Sequence, residues 1–225
     1  EHIRTDARIT RLAHDGSRIT GVTVNDAEAM DVESVVSTLP LTVMLRLLDP
    51  APPEALRSLA DAIRFRNLRL VVLGIDRPRL TPNASLYFPE RSVPFTRLYE
   101  PKNRSPHMAP NDQTVAVLEA PCQSDDALWT QSDDALFEAA VDWLEAQGLA
   151  RRDEVVAVAH HAMPFAYPIL GLDSAAIAQR IKTYLARFAN LHLLGRSAGF
   201  AYTHVHNLYA EAKTLAERIG TRVAP

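Results

Sequence analysis

The spacing of apolar residues divides the chain into short runs of period two and longer runs of helical period. Residues 7–13 and 18–25 alternate apolar and polar positions. His14-Asp15-Gly16-Ser17 lies between them, and its Asp-Gly pair predicts a hairpin turn. Residues 31–39 predict a further strand, ending VVSTLP. Residues 41–48 predict a short apolar helix that stops near Pro50. Pro52-Pro53 stand at the start of the next helix, whose Leu56, Leu59, Ala60 and Ile63 form one face. The apolar run 67–75 predicts a buried strand, and residues 85–88, 95–100 and 114–119 predict shorter ones, separated by proline-bearing loops. Ser132 is placed to cap a helix with Asp133 and Asp134 in its first turn, Leu136, Ala140, Val141 and Leu144 on one face, and Gly148 at its end. Residues 155–159 predict a strand and residues 174–188 a helix. Many of the 15 prolines fall in the middle of the chain, which favours an antiparallel sheet with long connections over a tight α/β repeat. The predicted fold class is α/β (α+β), with a mixed or antiparallel sheet and flanking helices.

Residues 190–219 predict a strand (Leu191, Leu193, Leu194), a turn (Gly195-Arg196-Ser197-Ala198-Gly199) and a helix. In that helix Val205, Leu208, Ala212, Leu215, Ala216 and Ile219 recur at helical spacing, with Thr203 as N-cap and Gly220 as terminator. A helix start beside a Gly-rich loop offers free N–H groups and the positive end of the dipole to an anion, and Arg196 carries a guanidinium suited to phosphate. An ordinary αβ connection with a solvated arginine accounts for the same residues.

At 225 residues the chain suits one large domain or two small ones. A net charge of −3 gives no electrostatic case for nucleic acid or an acidic membrane surface. The single cysteine, Cys122, excludes an internal disulfide and fits a reducing compartment, so a cytoplasmic location is expected; a buried structural thiol is its predicted role. No apolar run approaches the roughly 20 residues of a spanning helix, and no signal-peptide pattern opens the chain. The sequence begins EHIRTDARIT without methionine, which suggests a missing upstream segment. No G-x-G-x-x-G, P-loop or H-E-x-x-H is present. His160-His161 are adjacent, so they point to opposite faces of a strand, and His204 and His206 have the wrong spacing for one helix face; no metal site is predicted. Asp125-Asp126 and Asp133-Asp134 read as turns and caps, and Ser197 has no visible base partner.

Two stretches carry a resemblance. GRSAGFAY followed by an amphipathic helix resembles the C-terminal flavin-contacting segment of FAD-dependent oxidoreductases, in particular the UDP-galactopyranose mutase and protoporphyrinogen oxidase-like branch of the amine oxidase superfamily. It implies that Gly195, Arg196, Gly199, Phe200 and Tyr202 approach FAD. Pro94-Phe95-Thr96-Arg97-Leu98-Tyr99-Glu100-Pro101-Lys102 is similar to the P-[YF]-T-R-[IL]-x-E-x-K segment of the mutases, whose arginine lies in the substrate cavity and contacts the substrate diphosphate. Strand alternation puts Phe95, Arg97 and Tyr99 on one face, with Arg97 between two aromatics. An edge strand whose Arg97 and Glu100 serve solubility explains the same pattern. The resemblance implies a substrate side lined by Arg97, Tyr99 and Tyr202, with no catalytic residue identified. It covers nearly the whole chain but only the family's C-terminal half. Phe200 stands where mutases have tyrosine, and His204 and His206 replace acidic residues at the helix start, which speaks for a redox role rather than ring contraction.

The resemblance implies residues 1–40 as part of an FAD-binding domain, 41–189 as a substrate-binding domain, and 190–225 as the flavin-contacting strand, loop and helix. The expected function is a flavin-dependent oxidoreductase acting on a small molecule of unassigned identity. Its expected partner is an upstream dinucleotide-binding segment. The 225 residues alone are expected to be inactive and to lack FAD. The alternative is a non-enzymatic binding module, or a cofactor-free fragment retaining only the substrate-domain pocket.

Overall fold

The computed structural model describes residues 3–223, with 221–223 described by backbone alone. In chain order the elements are β1 (Ile9–His14), β2 (Ile19–Val24), β3 (Glu28–Asp31), β4 (Val35–Ser37), α1 (Leu41–Arg46), β5 (Leu48–Asp49), α2 (Glu54–Asp61), β6 (Phe65–Ile75), β7 (Ser85–Tyr87), β8 (Arg97–Tyr99), β9 (Thr114–Cys122), α3 (Ala127–Thr130), α4 (Asp133–Ala146), β10 (Val155–Pro168), α5 (Ser174–Leu185), β11 (Leu191–Leu193), α6 (Arg196–Gly199) and α7 (Val205–Val223). This is the mixed α/β architecture that the sequence predicts. Contacts divide the chain into two units. One comprises the chain ends, up to Arg64 and from Tyr167 on; the other is Phe65–Ala166.

In the unit of the chain ends, β1 and β2 form the predicted antiparallel hairpin, closed around Asp15, whose Oδ1 accepts from the backbone N–H of Ser17 and Arg18. The sheet order is β3-β2-β1-β5, with β5 parallel to β1. Of the strand predicted over 31–39 only β4 forms, and β3, which comes before it, was not predicted. β3 continues the hairpin sheet, while β4 leaves it to pair in parallel with β11, Val35 opposite Leu191 and Ser37 opposite Leu193. The helix predicted over 41–48 ends at Arg46, because Leu48 is drawn into the parallel pair with Leu12. Asn190 is buried where these pieces meet. Its amide accepts from the Ile19 N–H at 2.8 Å and donates to the carbonyls of Ile19 and Glu33, tying the hairpin to the entry of β11.

The middle unit is a five-stranded sheet of order β10-β6-β9-β8-β7, with β6–β9, β8–β9 and β7–β8 antiparallel. Register places Val71 opposite Leu118 and Leu73 opposite Ala116, so alternate residues of both strands make one apolar face. The buried stripe of α4 (Leu136, Ala140, Val141, Leu144) completes a core that also includes Phe95 and Leu98. Ser132 caps α4 as predicted, its hydroxyl accepting from the Ala135 N–H at 3.2 Å, and Gly148 follows the helix at φ +66°. Cys122 is fully buried, and burial pushes its thiol pKa up. Arg69 is not solvated: it is 4% exposed and donates to the carbonyls of Leu128, Trp129 and Gln131 and to Asp133 at 2.6 Å, tying β6 to the approach to α4.

Candidate functional site

Antiparallel register assembles the neighbourhood of Arg97. Tyr87 on β7, Arg97 on β8 and Glu119 on β9 are opposite one another, and Ser85, Tyr99 and Val117 form the adjacent row. Side chains directly opposite in an antiparallel pair share a face, so the row carries an aromatic, a guanidinium and a carboxylate side by side. The Arg97 guanidinium carbon lies 4.9 Å from the Tyr99 ring centroid and 5.9 Å from that of Tyr87. The two aromatics around Arg97 are therefore Tyr87 and Tyr99. Phe95 precedes β8 and is fully buried in the core, 5.9 Å from the Trp143 ring, on the side opposite Arg97. Alternation alone misplaced it because the chain enters the strand only at Arg97.

Arg97 makes an ion pair with the nearly buried Glu119. Burial works against the guanidinium charge, but Glu119 and the Tyr87 hydroxyl outweigh it and hold the pKa of Arg97 above its ordinary value. Arg97 Nε is buried without a hydrogen-bond partner. Glu119 was not singled out in the sequence. The signal was present only in the register, which makes it the cross-strand partner of Arg97. Glu100 is not a solubilising residue either. It is fully buried and accepts from the N–H groups of Leu80 and Thr81, from Asn103 Nδ2 and from Thr114 Oγ1 at 2.7–3.1 Å. Four donors of this kind satisfy a buried carboxylate without a counter-ion.

In the other unit, the parallel strands β4 and β11 end together. The Leu194 N–H donates to the Ser37 carbonyl at 2.9 Å, and Thr38 lies 3.7 Å from where a Gly195 side chain would begin. Gly195 has φ +97° and ψ 168°, a region essentially restricted to glycine. The expected open turn is instead the one-turn helix α6, and Gly199 is helical within it. The positive φ passes to Phe200, at +48°, which is buried. Arg196 is half-buried, 5.7 Å from the Tyr167 ring centroid, and donates to the Thr203 carbonyl at 2.9 Å. Tyr202 is exposed, stacks on Tyr167 and donates its hydroxyl hydrogen to the Pro168 carbonyl. Lys182 of α5 donates to the Gly199 carbonyl. Neither Tyr167 nor Lys182 carried a motif that would have marked it.

Helix α7 starts at Val205, not at Thr203, whose carbonyl serves Arg196. Gly220 does not terminate it, and the backbone stays helical to Val223. The rings of His204 and His206 stack with centroids 5.6 Å apart, so they do face one another at the irregular entry to the helix. Among the described residues no cluster of three or more His, Cys, Asp or Glu side chains could hold a metal ion, and no helix is long and apolar enough to cross a membrane. In the same unit as Gly195, a largely apolar cavity of about 820 Å³ is lined by β1, β4, Thr38, Leu39 and α1.

The comparisons with known proteins agree with this architecture. Reduced UDP-galactopyranose mutase matches with a TM-score of 0.79 at 17% identity, over 97% of this chain and 47% of the mutase. An Exiguobacterium sp. 255-15 protein assigned as a protoporphyrinogen oxidase matches with a TM-score of 0.71 at 19% identity, over 96% of this chain and 47% of that one. Putrescine oxidase bound to putrescine matches with a TM-score of 0.61 at 15% identity, over 96% and 48%. The chain thus spans about half the length of the solved structures that it matches. No curated protein matches it by sequence. The family model of the flavin containing amine oxidoreductases matches residues 1–220, and the chain belongs to that family.

Proposed function

We propose that the chain is the C-terminal portion of an FAD-dependent oxidoreductase, working with a dinucleotide-binding segment that precedes it in the whole protein. In this reading residues 1–40 and 190–225 serve the cofactor and residues 41–189 the substrate. The observation that carries it is the parallel pair β4–β11, with Ser37-Thr38 and Leu194-Gly195-Arg196 at its carboxyl end. Ligands of open α/β sheets bind outside the carboxyl ends of parallel strands. There the extended, glycine-only backbone of Gly195 keeps a side chain out of the way, and Arg196 has no carboxylate partner among the described residues. This donor set fits an anionic, flat cofactor such as FAD. Gly195, Arg196, Gly199, Phe200 and Tyr202 are the residues that would hold it. Bound FAD would supply hydride chemistry. The chain's own residues would position it: Lys182 and Arg196 fix the backbone on either side of Phe200, and Arg97 and Tyr99 would line the substrate side.

The test is FAD retention. In the whole protein, Gly195→Val forces a β-branched side chain into a glycine-only conformation and is expected to abolish FAD retention after desalting. Arg196→Ala is expected to lower it at least tenfold. The 225-residue chain alone is expected to purify without flavin absorbance. Wild-type FAD content in both variants would overturn the cofactor assignment and leave the cofactor-free binding module standing.

A further inference from the structure

A second cavity, of about 410 Å³, lies beside the Arg97 row in the middle unit, lined by Arg97, Tyr99, Pro101, Arg104, Ser105 and Met108. Its charges resolve unequally. Arg97 is already neutralised by Glu119. Lys102 is consumed by the carbonyls of Pro110, Asn111 and Gln113, and the buried Glu100 by its four donors. Among the described residues Arg104 is the one of these charges left uncompensated. It is exposed, and its one hydrogen bond among them is to the neutral Ser85 hydroxyl at 3.0 Å. The Ser105 hydroxyl next to it makes no hydrogen bond among the described residues.

The same contacts that use up Glu100 and Lys102 hold the segment between them and Gln113 in place, so Arg104 and Ser105 are presented by an ordered loop. The rest of the lining besides Arg97 is largely apolar: Tyr99, Pro101 and Met108, the last exposed although large and hydrophobic. A cavity with one unpaired cation, one free hydroxyl and an apolar wall suits a molecule with one negative charge at one end and hydrocarbon along its length.

We propose that this cavity binds the carboxylate of an amphiphilic monoacid, with Arg104 and Ser105 on the carboxylate and Tyr99, Pro101 and Met108 along the apolar body. The proposal rests on the reading of this sheet face as the substrate side and deepens it. The charge that the ligand meets is that of Arg104; the Arg97–Glu119 pair is a neutral wall that orients Tyr87 and Tyr99.

The experiment needs no flavin, so it fails or succeeds independently of the cofactor assignment. Octanoate, octyl phosphate and octanol are titrated calorimetrically into the 225-residue chain. Octanoate is expected to bind at least tenfold more tightly than octanol and no more weakly than octyl phosphate. Arg104→Gln is expected to weaken octanoate at least tenfold. Arg79→Gln, which removes an exposed arginine outside the cavity lining, is expected to stay within threefold of wild type. Wild-type affinity in Arg104→Gln, equal binding of octanol, or a tenfold loss in Arg79→Gln would each overturn the proposal. Tighter binding of octyl phosphate would overturn its restriction to a singly charged acid.

Discussion

Arg97 and Arg196 are both arginines stacked near tyrosines in segments that carry the family resemblance, yet their environments differ. Arg97 stands on a strand, opposite Glu119, with its charge matched by a nearly buried carboxylate. Arg196 stands in a one-turn helix, bonded to a backbone carbonyl, with no carboxylate partner among the described residues. A paired, half-buried charge contributes to the fold, because removing one partner strands the other in a poorly solvated place. An unpaired, half-buried charge contributes little to the fold and remains available to an anion from outside the chain. The difference separates an arginine that organises its site from one that can bind a ligand, though both read alike in the sequence.

Arg69 sets the upper end of this comparison. It is the most buried of the three and serves three carbonyls as well as Asp133. Arg69→Met is expected to destabilise the chain by about 3 kcal/mol, since several charged hydrogen bonds go at once. Arg79, which is exposed, should stay within about 0.5 kcal/mol when changed to Ala. Chemical denaturation of the two side by side checks the scale.

Arg97→Ala is expected to cost about 2 kcal/mol by leaving Glu119 unpaired. Adding Glu119→Gln should recover most of that. If the single variant unfolds like wild type, the paired half of the comparison is broken. Lysine at position 97 keeps the charge but loses the planar fork that stacks on Tyr99, so it should recover only part of the stability.

Ser132→Ala removes one neutral capping hydrogen bond and is expected to cost about 1 kcal/mol. It serves as a ruler for Arg196→Ala, which should fall below it in denaturant midpoint while reducing FAD retention in the whole protein. An Arg196→Ala loss larger than that of Ser132→Ala would make Arg196 a structural residue and erase the contrast. The smallest effect expected is at Cys122. Burial raises its thiol pKa, so at neutral pH it should react with a thiol reagent only as fast as the chain unfolds, and a rapid reaction in the folded state would contradict the buried β9 terminus.

Much of the local structure was legible in the sequence. The Asp15-Gly16 hairpin, the apolar run of β6 and the capped α4 each follow from side-chain period and turn chemistry within a few residues. Where the reading failed, a distant partner decided. The strand over 31–39 shrank to Val35–Ser37, the three residues that pair with β11, far along the chain. Thr203 lost its capping role when its segment bent to meet Arg196.

The sequence by itself therefore determined most element types, the Asp15 turn and the Ser132 cap, and the two segments that carry the family resemblance. Those features depend on neighbours within one helical turn or one hairpin, where the covalent chain fixes who meets whom. The tertiary structure alone decided which charges are paired: Arg97 with Glu119, Lys102 with carbonyls, Arg104 and Arg196 with no carboxylate among the described residues. Cross-strand register brings together residues that no local period relates, and a charge is spent or free according to what stands within a few ångströms of it.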